Sequence, residues 1–315
     1  MRKIIKTVIL LTILLFFVFL ICYSLFNQTE PLSLPVDDLI IQGQKLQQLA
    51  DVYLGLDEDF SYNPLINGQR DKCKDINSIE TDFSNPKIVF CYSHRVFILN
   101  EKIRHFKNPF VLITHNSDEN MNDTSKINNI LSNEHLIHWY TQNLALDNEK
   151  ISPLPIGLQN NMWKNCISFY NDENLTDLYK NKSKDVFMNF SINTNFDKRN
   201  KCFESLKDKI PFLENIETCD NLKRLTQYKF CICPEGNGYD SHRLWEALYL
   251  QTVPIVIDSD FIRIIKKHIN PPMVILNDWN DFNEKDLDYD SYNFDGKDYY
   301  QNFSFEHYKH LITSM

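Results

Sequence analysis

The segment from Cys233 to Ile257 contains the residues whose types and spacing are best suited to chemistry. Two of the seven glycines of the chain, Gly236 and Gly238, fall in the loop PEGNG, directly after an apolar run that predicts a strand. Glycine allows a sharp turn and a close approach of a ligand to the main chain. A helix then begins, capped by Asp240 or Ser241, and a helix N-terminus at the carboxyl edge of a sheet favours phosphate. The loop therefore predicts a phosphate site.

Arg243 lies in the first turn of this predicted helix, and Glu246 follows three residues later on the same face. A guanidinium can donate two parallel hydrogen bonds to a diphosphate, and a carboxylate can accept hydrogen bonds from both hydroxyls of a ribose. The alternative is a surface ion pair on a solvated helix face, worth about 0.3–0.5 kcal/mol. Spacing alone favours neither interpretation.

The elements that would position these residues follow an alternating pattern of apolar runs and polar, helix-capable stretches. Compact runs rich in β-branched and aromatic residues are typical of strands buried on both faces. The predicted strands are 87–91, 109–114, 151–156, 186–190, 228–233, 253–257 and 273–276. The predicted helices are 38–54, 124–136, 198–209, 241–251, 261–268 and 305–312. Strands that alternate with helices indicate an α/β fold of two units with parallel sheets, separated near residues 158–184 and facing a cleft.

The N-terminus predicts a membrane anchor. An almost unbroken apolar run covers residues 8–26, long enough to cross a bilayer as a helix, and basic residues precede it. A cleaved signal peptide is the alternative, but its apolar region is shorter and ends in small residues. We expect a type II orientation with the rest of the chain luminal or extracytoplasmic. The predicted organisation is a cytoplasmic tail (1–7), an anchor (8–26), a stem (27–37), an N-terminal α/β domain (38–160) and a C-terminal α/β domain (161–315).

The composition limits the class of partner. The 315 residues carry a formal net charge of −9, which argues against a nucleic-acid-binding protein, because such proteins need a basic face. Of the eight cysteines, Cys22 lies in the predicted anchor, so seven could meet an oxidising compartment and at least one is left without a partner in the chain. Cys231 and Cys233 are predicted to pack in the core.

The stretch YKFCICPEGNGYDSHRLWEALYLQTVPIVIDSDF, residues 228–261, resembles the donor-binding signature of exostosin-type glycosyltransferases. It is also similar, more loosely, to fucosyltransferases, in which a lysine usually stands near the position of Arg243. The resemblance implies a GT-B fold, two Rossmann-like domains facing each other with the nucleotide sugar bound by the C-terminal one. The sequence departs from the exostosin pattern at Gln251, where glycine is common.

The same resemblance implies a set of donor-binding residues. Arg243 would hold the diphosphate and Glu246 the ribose, and the loop after the strand ending at Phe190 would approach the phosphates from the other side of the cleft. Arg199, at the start of a helix, is otherwise read as a solvated surface residue. The remaining residues of the implied donor site are Ser191, Thr194, Glu235, Gly236, Asn237, Gly238, Asp240, Ser241 and His242.

An inverting transfer needs a base that deprotonates the acceptor hydroxyl, and we expect the N-terminal domain to supply it. The loop after the strand at 109–114 carries Asp118, the first candidate, with His115 and Glu119 next. The alternative is an Asx-rich loop that only turns the chain.

Asp258 and Asp260 form a D-x-D pattern that resembles a metal motif, although a helix cap explains it equally well. Arg243 and a helix N-terminus can neutralise a leaving diphosphate, so we expect no metal and no cofactor, the nucleotide sugar being a substrate.

The function predicted from the sequence is a membrane-anchored glycosyltransferase that moves a sugar from a nucleotide sugar to a glycan, glycoprotein or polysaccharide acceptor. One alternative is a fucosyltransferase that uses a guanine nucleotide sugar, against which Arg243 in place of lysine speaks. The other alternative is a non-catalytic anchored partner or lectin-like protein that retains the fold.

Overall fold

The computed structural model describes residues 35–61, 69–79, 86–163, 166–172, 175, 177–294 and 296–315. The strands are β1 (Val52–Gly55), β2 (Cys73–Asp75), β3 (Ile88–Tyr92), β4 (Phe110–His115), β5 (Leu136–Thr141), β6 (Ile151–Pro153), β7 (Lys184–Phe187), β8 (Tyr228–Ile232), β9 (Val253–Ile257) and β10 (Val274–Leu276). The α-helices are α1 (Val36–Leu39), α2 (Gly43–Gln48), α3 (Asp57–Ser61), α4 (Val96–Lys102), α5 (Asn128–Leu131), α6 (Ile167–Asp172), α7 (Phe196–Leu206), α8 (Thr218–Leu225), α9 (His242–Tyr249), α10 (Asp260–His268), α11 (Gly296–Tyr300) and α12 (Phe305–Thr313).

These strands form two parallel sheets. The first has six strands in the order β2-β1-β3-β4-β5-β6, and the second has four in the order β10-β9-β8-β7. Every strand pairing is parallel. Parallel sheets with helical crossovers fit a Rossmann-like fold, which confirms the predicted α/β class.

The centre of the first sheet is apolar because its strands are covered on both faces. All six residues of β4 are buried, and β4 pairs with β3 and β5 along its whole length. Helix α4 covers one face with Val96 and Leu99, each fully buried. A continuous buried run of this kind is what a doubly covered strand requires.

Two predicted helices of the first half are shorter and less continuous in the structure than predicted. The spacing in 38–54 fits one amphipathic helix, but the structure has two short helices there, followed by the strand β1. The break comes at Gln42, whose backbone forms β-bridges with Gly157 and Leu158. In 124–136, only Asn128–Leu131 is α-helical, and β5 begins at Leu136. At Gln42, tertiary pairing therefore overrides the local periodicity.

The second sheet follows the prediction closely. Its strands β7 to β10 and the helices α7, α9 and α10 lie within a few residues of the predicted bounds. Helix α10 has a buried apolar face, and the Ser259 side chain caps the helix by accepting a hydrogen bond from the Ile262 amide at 3.3 Å. Cys231 and Cys233 are buried, as predicted.

The last helix contacts residues of the first half of the chain. Tyr308 of α12 is buried and its hydroxyl donates to the Pro153 carbonyl at 3.2 Å. The Ile41 amide donates to the Tyr249 hydroxyl at 3.1 Å, which links the start of the described chain to α9. These bonds tie the two sheets together around the loop that follows β8.

The predicted tail and anchor lie outside the described residues, as does the stem as far as residue 34. Within the described residues, no helix has both the length and the apolar character needed to cross a membrane.

Candidate active site

The loop 234–241 lies where the carboxyl edges of the two sheets meet. The Asn237 side chain donates to an Asp118 carboxylate oxygen at 3.2 Å, and the Asn143 side-chain oxygen accepts from the Asp240 amide at 2.8 Å. Asp118 follows β4 and Asn143 follows β5, so both partners come from the first sheet. The predicted loop therefore joins the two halves of the site.

Asp240 is the central residue of this junction. It is 3% exposed, and its carboxylate accepts hydrogen bonds from the Ile156 amide, the Ser241 amide and the Trp245 indole at 2.7–2.8 Å. Burial raises the pKa of Asp240 to about 7, although these three donors act in the opposite direction. The Asp240 carboxylate thus accepts hydrogen bonds from three protein groups, and these bonds hold the loop in place.

Only one of the two loop glycines is required by a close contact. A Cβ at Gly238 would lie 2.5 Å from the Asn143 side-chain nitrogen, whereas a Cβ at Gly236 would have its nearest neighbour at 3.4 Å. Gly236 instead accepts a hydrogen bond from the Asn195 side chain at 2.6 Å through its carbonyl. Gly238 therefore allows the close contact between the loop and Asn143 of the first sheet. No such close contact requires a glycine at position 236.

Most of the predicted donor residues line one cavity of about 300 Å³, here called the donor cavity. The predicted residues that line it are Asp118, Ser191, Thr194, Arg199, Gly236, Asn237, Asp240, Ser241, His242, Arg243 and Glu246. They come from the loops after β4, β7 and β8 and from the first turns of α7 and α9. The structure thus brings together residues that are far apart in the sequence.

Arg243 and Glu246 form an ion pair inside this cavity. The Arg243 Nε donates to Glu246 at 2.9 Å, and the two side chains are 19% and 12% exposed. Arg243 also donates to the Asn189 carbonyl at 3.2 Å and stacks over the Phe187 ring at 5.4 Å. The solvated surface pair that the spacing left open is therefore wrong. Burial lowers the pKa of Arg243, but the Glu246 carboxylate and the two nearby cysteines outweigh it, and the net pKa is raised.

Arg199 is the second cation of the cavity, and it is 8% exposed. Its Nε donates to the Glu235 carbonyl at 2.8 Å and one terminal nitrogen donates to the Ser191 carbonyl at 2.9 Å. Among the residues that the structure describes, no carboxylate lies within ion-pair distance of its guanidinium. Burial, followed by repulsion from Arg243, lowers the pKa of Arg199. The solvated surface position considered for Arg199 is wrong.

Helix α9 points its N-terminus into the same cavity. Ser241 is its N-cap residue, but the Ser241 side chain makes no capping hydrogen bond, so the predicted caps by Asp240 or Ser241 are wrong in detail. Asp240 instead accepts from the Ser241 amide, one residue before the helix. The Leu244 amide donates to the Ser241 carbonyl at 3.1 Å, and the Ser241 side chain leaves the His242 and Arg243 amides uncapped, so these two can donate to an anion.

Glu235 is turned away from the donor cavity. Its carboxylate pairs with Lys198, and both line a separate cavity of about 330 Å³ near Trp279. Its backbone carbonyl, rather than its carboxylate, reaches Arg199. Glu235 therefore orients Arg199 through the main chain.

A third cavity, of about 350 Å³, adjoins the donor cavity on the side of the first sheet and is here called the neutral cavity. Asp118, Ile156 and His242 line both cavities. The two cavities therefore share part of their lining.

His115 lines the neutral cavity but is 2% exposed. One ring nitrogen lies 3.1 Å from the Pro155 carbonyl and the other lies 3.1 Å from the Asn116 side-chain oxygen. Burial lowers the pKa of His115 to about 4. Both nitrogens are therefore engaged, which leaves this ring poorly placed to take a proton from a substrate.

Asp118 is the predicted base that reaches both cavities, and its side chain is exposed. Glu119 is half-buried and lines neither the donor cavity nor the neutral cavity; its carbonyl accepts a hydrogen bond from Asn143 at 3.3 Å. The structure therefore separates the three predicted bases by position.

His242, predicted as a donor residue, occupies the junction as well. Its Nδ1 lies 2.8 Å from the Gly157 carbonyl, which can only accept a hydrogen bond, so Nδ1 carries the proton. In the neutral imidazole, Nε2 is then an acceptor. His242 thus has a fixed tautomer at the boundary of the two cavities.

Sequence reasoning missed Gln142, Asn143 and Asn189, although each follows a strand directly or within two residues. Asn189 lines the donor cavity, and its side chain donates to the carbonyls of Leu213 and Glu214 at 2.9 and 3.1 Å. Ligands bind at the carboxyl ends of parallel strands, but this rule pointed to none of the three: β5 was not predicted, and Asn189 lies inside the predicted strand 186–190.

The two carboxylates of the D-x-D pattern pair with one guanidinium group. The carboxylates of Asp258 and Asp260 both pair with Arg263, and Ser259 between them caps α10. Within the described residues, no group of three or more histidine, cysteine, aspartate or glutamate side chains could hold a metal ion.

The family comparison covers the second half of the site. Residues 158–287 match the family model of the RXYLT1 C-terminal domain. The match supports a glycosyltransferase-like family. It includes Arg199, Arg243 and Glu246, but the loops after β4 and β5 lie before it. No curated protein matches the chain.

Proposed function

We propose that the protein is a glycosyltransferase of GT-B architecture that transfers a sugar from a nucleoside-diphosphate sugar to a hydroxyl of a glycan acceptor. The glycosyltransferase-like match over residues 158–287 and the two parallel sheets support the class. The donor cavity supports the choice of substrate.

The observation that carries the proposal is the position of Arg199. A buried guanidinium without a carboxylate partner is unfavourable unless a ligand supplies an anion. Arg199 stands beside Arg243, whose carboxylate partner is Glu246, so only one of the two buried guanidinium groups has an ion-pair partner among the described residues. The diphosphate of a nucleotide sugar would supply the missing negative charge.

The reaction places specific demands on this cavity. The bond between the sugar C1 and the diphosphate oxygen breaks, and the leaving diphosphate takes the electron pair. Arg199, Arg243 and the N-terminus of α9 would stabilise the charge that develops there. Glu246 would accept hydrogen bonds from the ribose. The acceptor oxygen forms the new bond to C1 and gives its proton to a base. The transfer is inverting because this oxygen attacks from the face opposite the leaving diphosphate.

Asp118 stays the predicted base, because it lines both cavities and its carboxylate is accessible. His242 is a second candidate, because the Gly157 carbonyl holds the tautomer that leaves Nε2 able to accept a proton. Replacing each residue and measuring transfer as a function of pH would distinguish them, since a carboxylate and an imidazole give different acid limbs.

An extracytoplasmic, membrane-anchored placement belongs to the same proposal. The disulfide between Cys166 and Cys219 supports it, because such bonds persist in oxidising compartments. The acceptor is then expected to be a secreted or surface glycan.

The test is nucleotide binding followed by turnover. We would add a panel of nucleoside diphosphates and nucleotide sugars to the full-length chain and measure thermal stabilisation, then release of nucleoside diphosphate. Stabilisation by a nucleoside diphosphate and slow hydrolysis of one matching sugar donor are expected. Binding without any turnover, in the presence of a glycan panel, would favour the non-catalytic alternative.

A further inference from the structure

The neutral cavity contains a buried polar group without a partner. Gln142 follows β5 directly, is 1% exposed and lines the cavity. Its side-chain oxygen has no hydrogen-bond partner among the described residues. A buried acceptor left unpaired is unfavourable, so its presence at a cavity wall indicates a ligand that donates a hydrogen bond.

The polar groups beside Gln142 are, by contrast, satisfied. The Thr114 hydroxyl donates to the Thr141 hydroxyl at 2.6 Å, and the Trp139 indole donates to the Thr114 hydroxyl at 2.8 Å. The Thr141 hydroxyl in turn donates to the Gln142 carbonyl at 3.1 Å. The surrounding network therefore leaves the side-chain oxygen of Gln142, a residue of the cavity wall, without a hydrogen-bond partner among the described residues.

An exposed aromatic residue lines the same cavity. The Trp163 side chain is 61% exposed and neighbouring Met162 is 38% exposed, and both line it. An indole offers a flat apolar surface, and the C–H groups on one face of a sugar ring pack well against such a surface. Asn116 and Asn160 add amide groups to the lining.

The charge of the lining separates this cavity from the donor cavity. No lysine or arginine is among the described residues that line it, and its one carboxylate is Asp118. The donor cavity, by contrast, has Arg199 and Arg243. A phosphate or carboxylate ligand would find no cation in the neutral cavity, whereas hydroxyl groups would find amide partners.

We propose that the neutral cavity binds an uncharged sugar ring of the acceptor, with a hydroxyl donating to the Gln142 side-chain oxygen and one ring face packed against Trp163. This inference rests on the proposed function, since it defines the acceptor for the same reaction. The shared lining at Asp118 and His242 places an acceptor hydroxyl next to the donor cavity, where the sugar C1 would lie.

The experiment measures binding of simple saccharides to the full-length chain by ligand-observed saturation-transfer NMR. The probes are methyl glycosides of neutral hexoses and pentoses, with methyl glucuronide and glucose 6-phosphate as charged counterparts. At least one neutral glycoside is expected to bind in the millimolar range, and the charged probes are expected to bind at least tenfold more weakly.

Two variants and a control test the named residues. Trp163→Ala and Gln142→Met should each weaken binding of the neutral glycoside at least tenfold. Gln142→Met should leave the melting temperature unchanged or raise it, because it removes an unpaired buried oxygen; a purely structural glutamine would lower it. Phe97→Ala, which removes an aromatic side chain that is 37% exposed and outside the cavity, should leave binding unchanged.

The outcomes separate the two proposals. Three outcomes would overturn the acceptor assignment: no neutral glycoside binds, both variants bind the neutral glycoside as tightly as the wild-type chain does, or the charged probes bind more tightly than the neutral ones. Nucleoside diphosphate binding is measured on the same samples and should persist in both variants. If the wild-type chain bound no nucleoside diphosphate, the proposed function itself would be overturned, regardless of the result with the glycosides.

Discussion

The two cavities lie at the carboxyl edges of the sheets and differ in the charge and polarity of their linings. The donor cavity, on the second sheet, contains two largely buried guanidinium groups: Arg243 pairs with Glu246, and Arg199 has no carboxylate within ion-pair distance among the described residues. The neutral cavity, on the first sheet, uses amides and aromatic rings, with Gln142 unpaired and Trp163 exposed. This difference supports the proposal that one cavity binds an anion and the other binds hydroxyl groups, as transfer from a nucleotide sugar to a glycan would require.

The largest expected effect concerns the cations of the donor cavity. Arg243→Ala and Arg199→Ala should each weaken binding of the best nucleoside diphosphate about 100-fold, close to 2.7 kcal/mol, because each removes charge-assisted hydrogen bonds to phosphate. Isothermal titration calorimetry measures the affinity. Arg263→Ala, which removes a guanidinium that is 64% exposed and outside the cavity, is the control. If Arg243→Ala and Arg199→Ala both bound the nucleoside diphosphate as tightly as the wild-type chain, the proposed difference between the two cavities would be wrong.

The buried imidazole of the neutral side should make stability depend on pH. Burial lowers the pKa of His115 to about 4 from 6.5, so between these values the unfolded chain binds a proton that the folded chain does not. Stability is therefore present above pH 6.5 and lost as the pH falls towards 4. Relative to His115→Gln, the wild-type chain should lose about 2 kcal/mol over this range.

Urea unfolding of both chains at pH 7 and pH 4.5 measures this difference. Asp240, whose pKa is raised to about 7, contributes a pH dependence of the opposite sign. It is present in both chains and cancels in the comparison. Equal losses in the two chains would show that His115 is not held neutral by burial.

The contact between the two sides predicts a difference between two similar substitutions. Gly238→Ala places a Cβ 2.5 Å from Asn143, whose side chain also bonds the Asp240 amide and cannot move freely. It should cost about 1–3 kcal/mol of unfolding free energy, as overpacking does. Gly236→Ala, with 3.4 Å to its nearest neighbour, should cost less than about 1 kcal/mol. Equal costs in urea unfolding would contradict this geometry.

The smallest expected effect concerns the role of Glu246 in the donor cavity. If Glu246 accepts hydrogen bonds from a ribose, the wild-type chain should bind a ribonucleoside diphosphate about tenfold more tightly than its 2′-deoxy counterpart, near 1.4 kcal/mol. Glu246→Gln should reduce this preference, since the amide keeps only one acceptor oxygen. A competition titration with both nucleotides measures the ratio. A preference that survives the substitution would place the ribose elsewhere.

The sequence predicted the donor side far better than the neutral side, for a physical reason. Gly236, Arg243 and Glu246 lie close together in one strand-loop-helix segment, where local rules for glycine, helix starts and helix faces apply directly. The burial of Arg199 and its position beside Arg243 depend on packing between elements and could not be read from its helix position alone.

The neutral side is assembled from distant loops. Gln142 follows β5, a strand that the sequence did not predict. The tendency of ligands to bind at the carboxyl ends of strands therefore could not point to this residue. His242 was predicted as a donor residue, and its place at the junction depends on the Gly157 carbonyl, 85 positions earlier in the chain. The Gln42 bridges to Gly157 and Leu158 likewise end the first helix where its apolar spacing continues. Such long-range pairings leave no local pattern.

The central claim, that the cavity around Arg199 and Arg243 binds the diphosphate of a nucleotide sugar, is tested most directly by the thermal stability of the full-length chain with nucleoside diphosphates. The account predicts that at least one raises the melting temperature by several degrees at saturating concentration, and that Arg243→Ala abolishes the increase while Arg263→Ala keeps it. A melting temperature unchanged by every nucleoside diphosphate would contradict it.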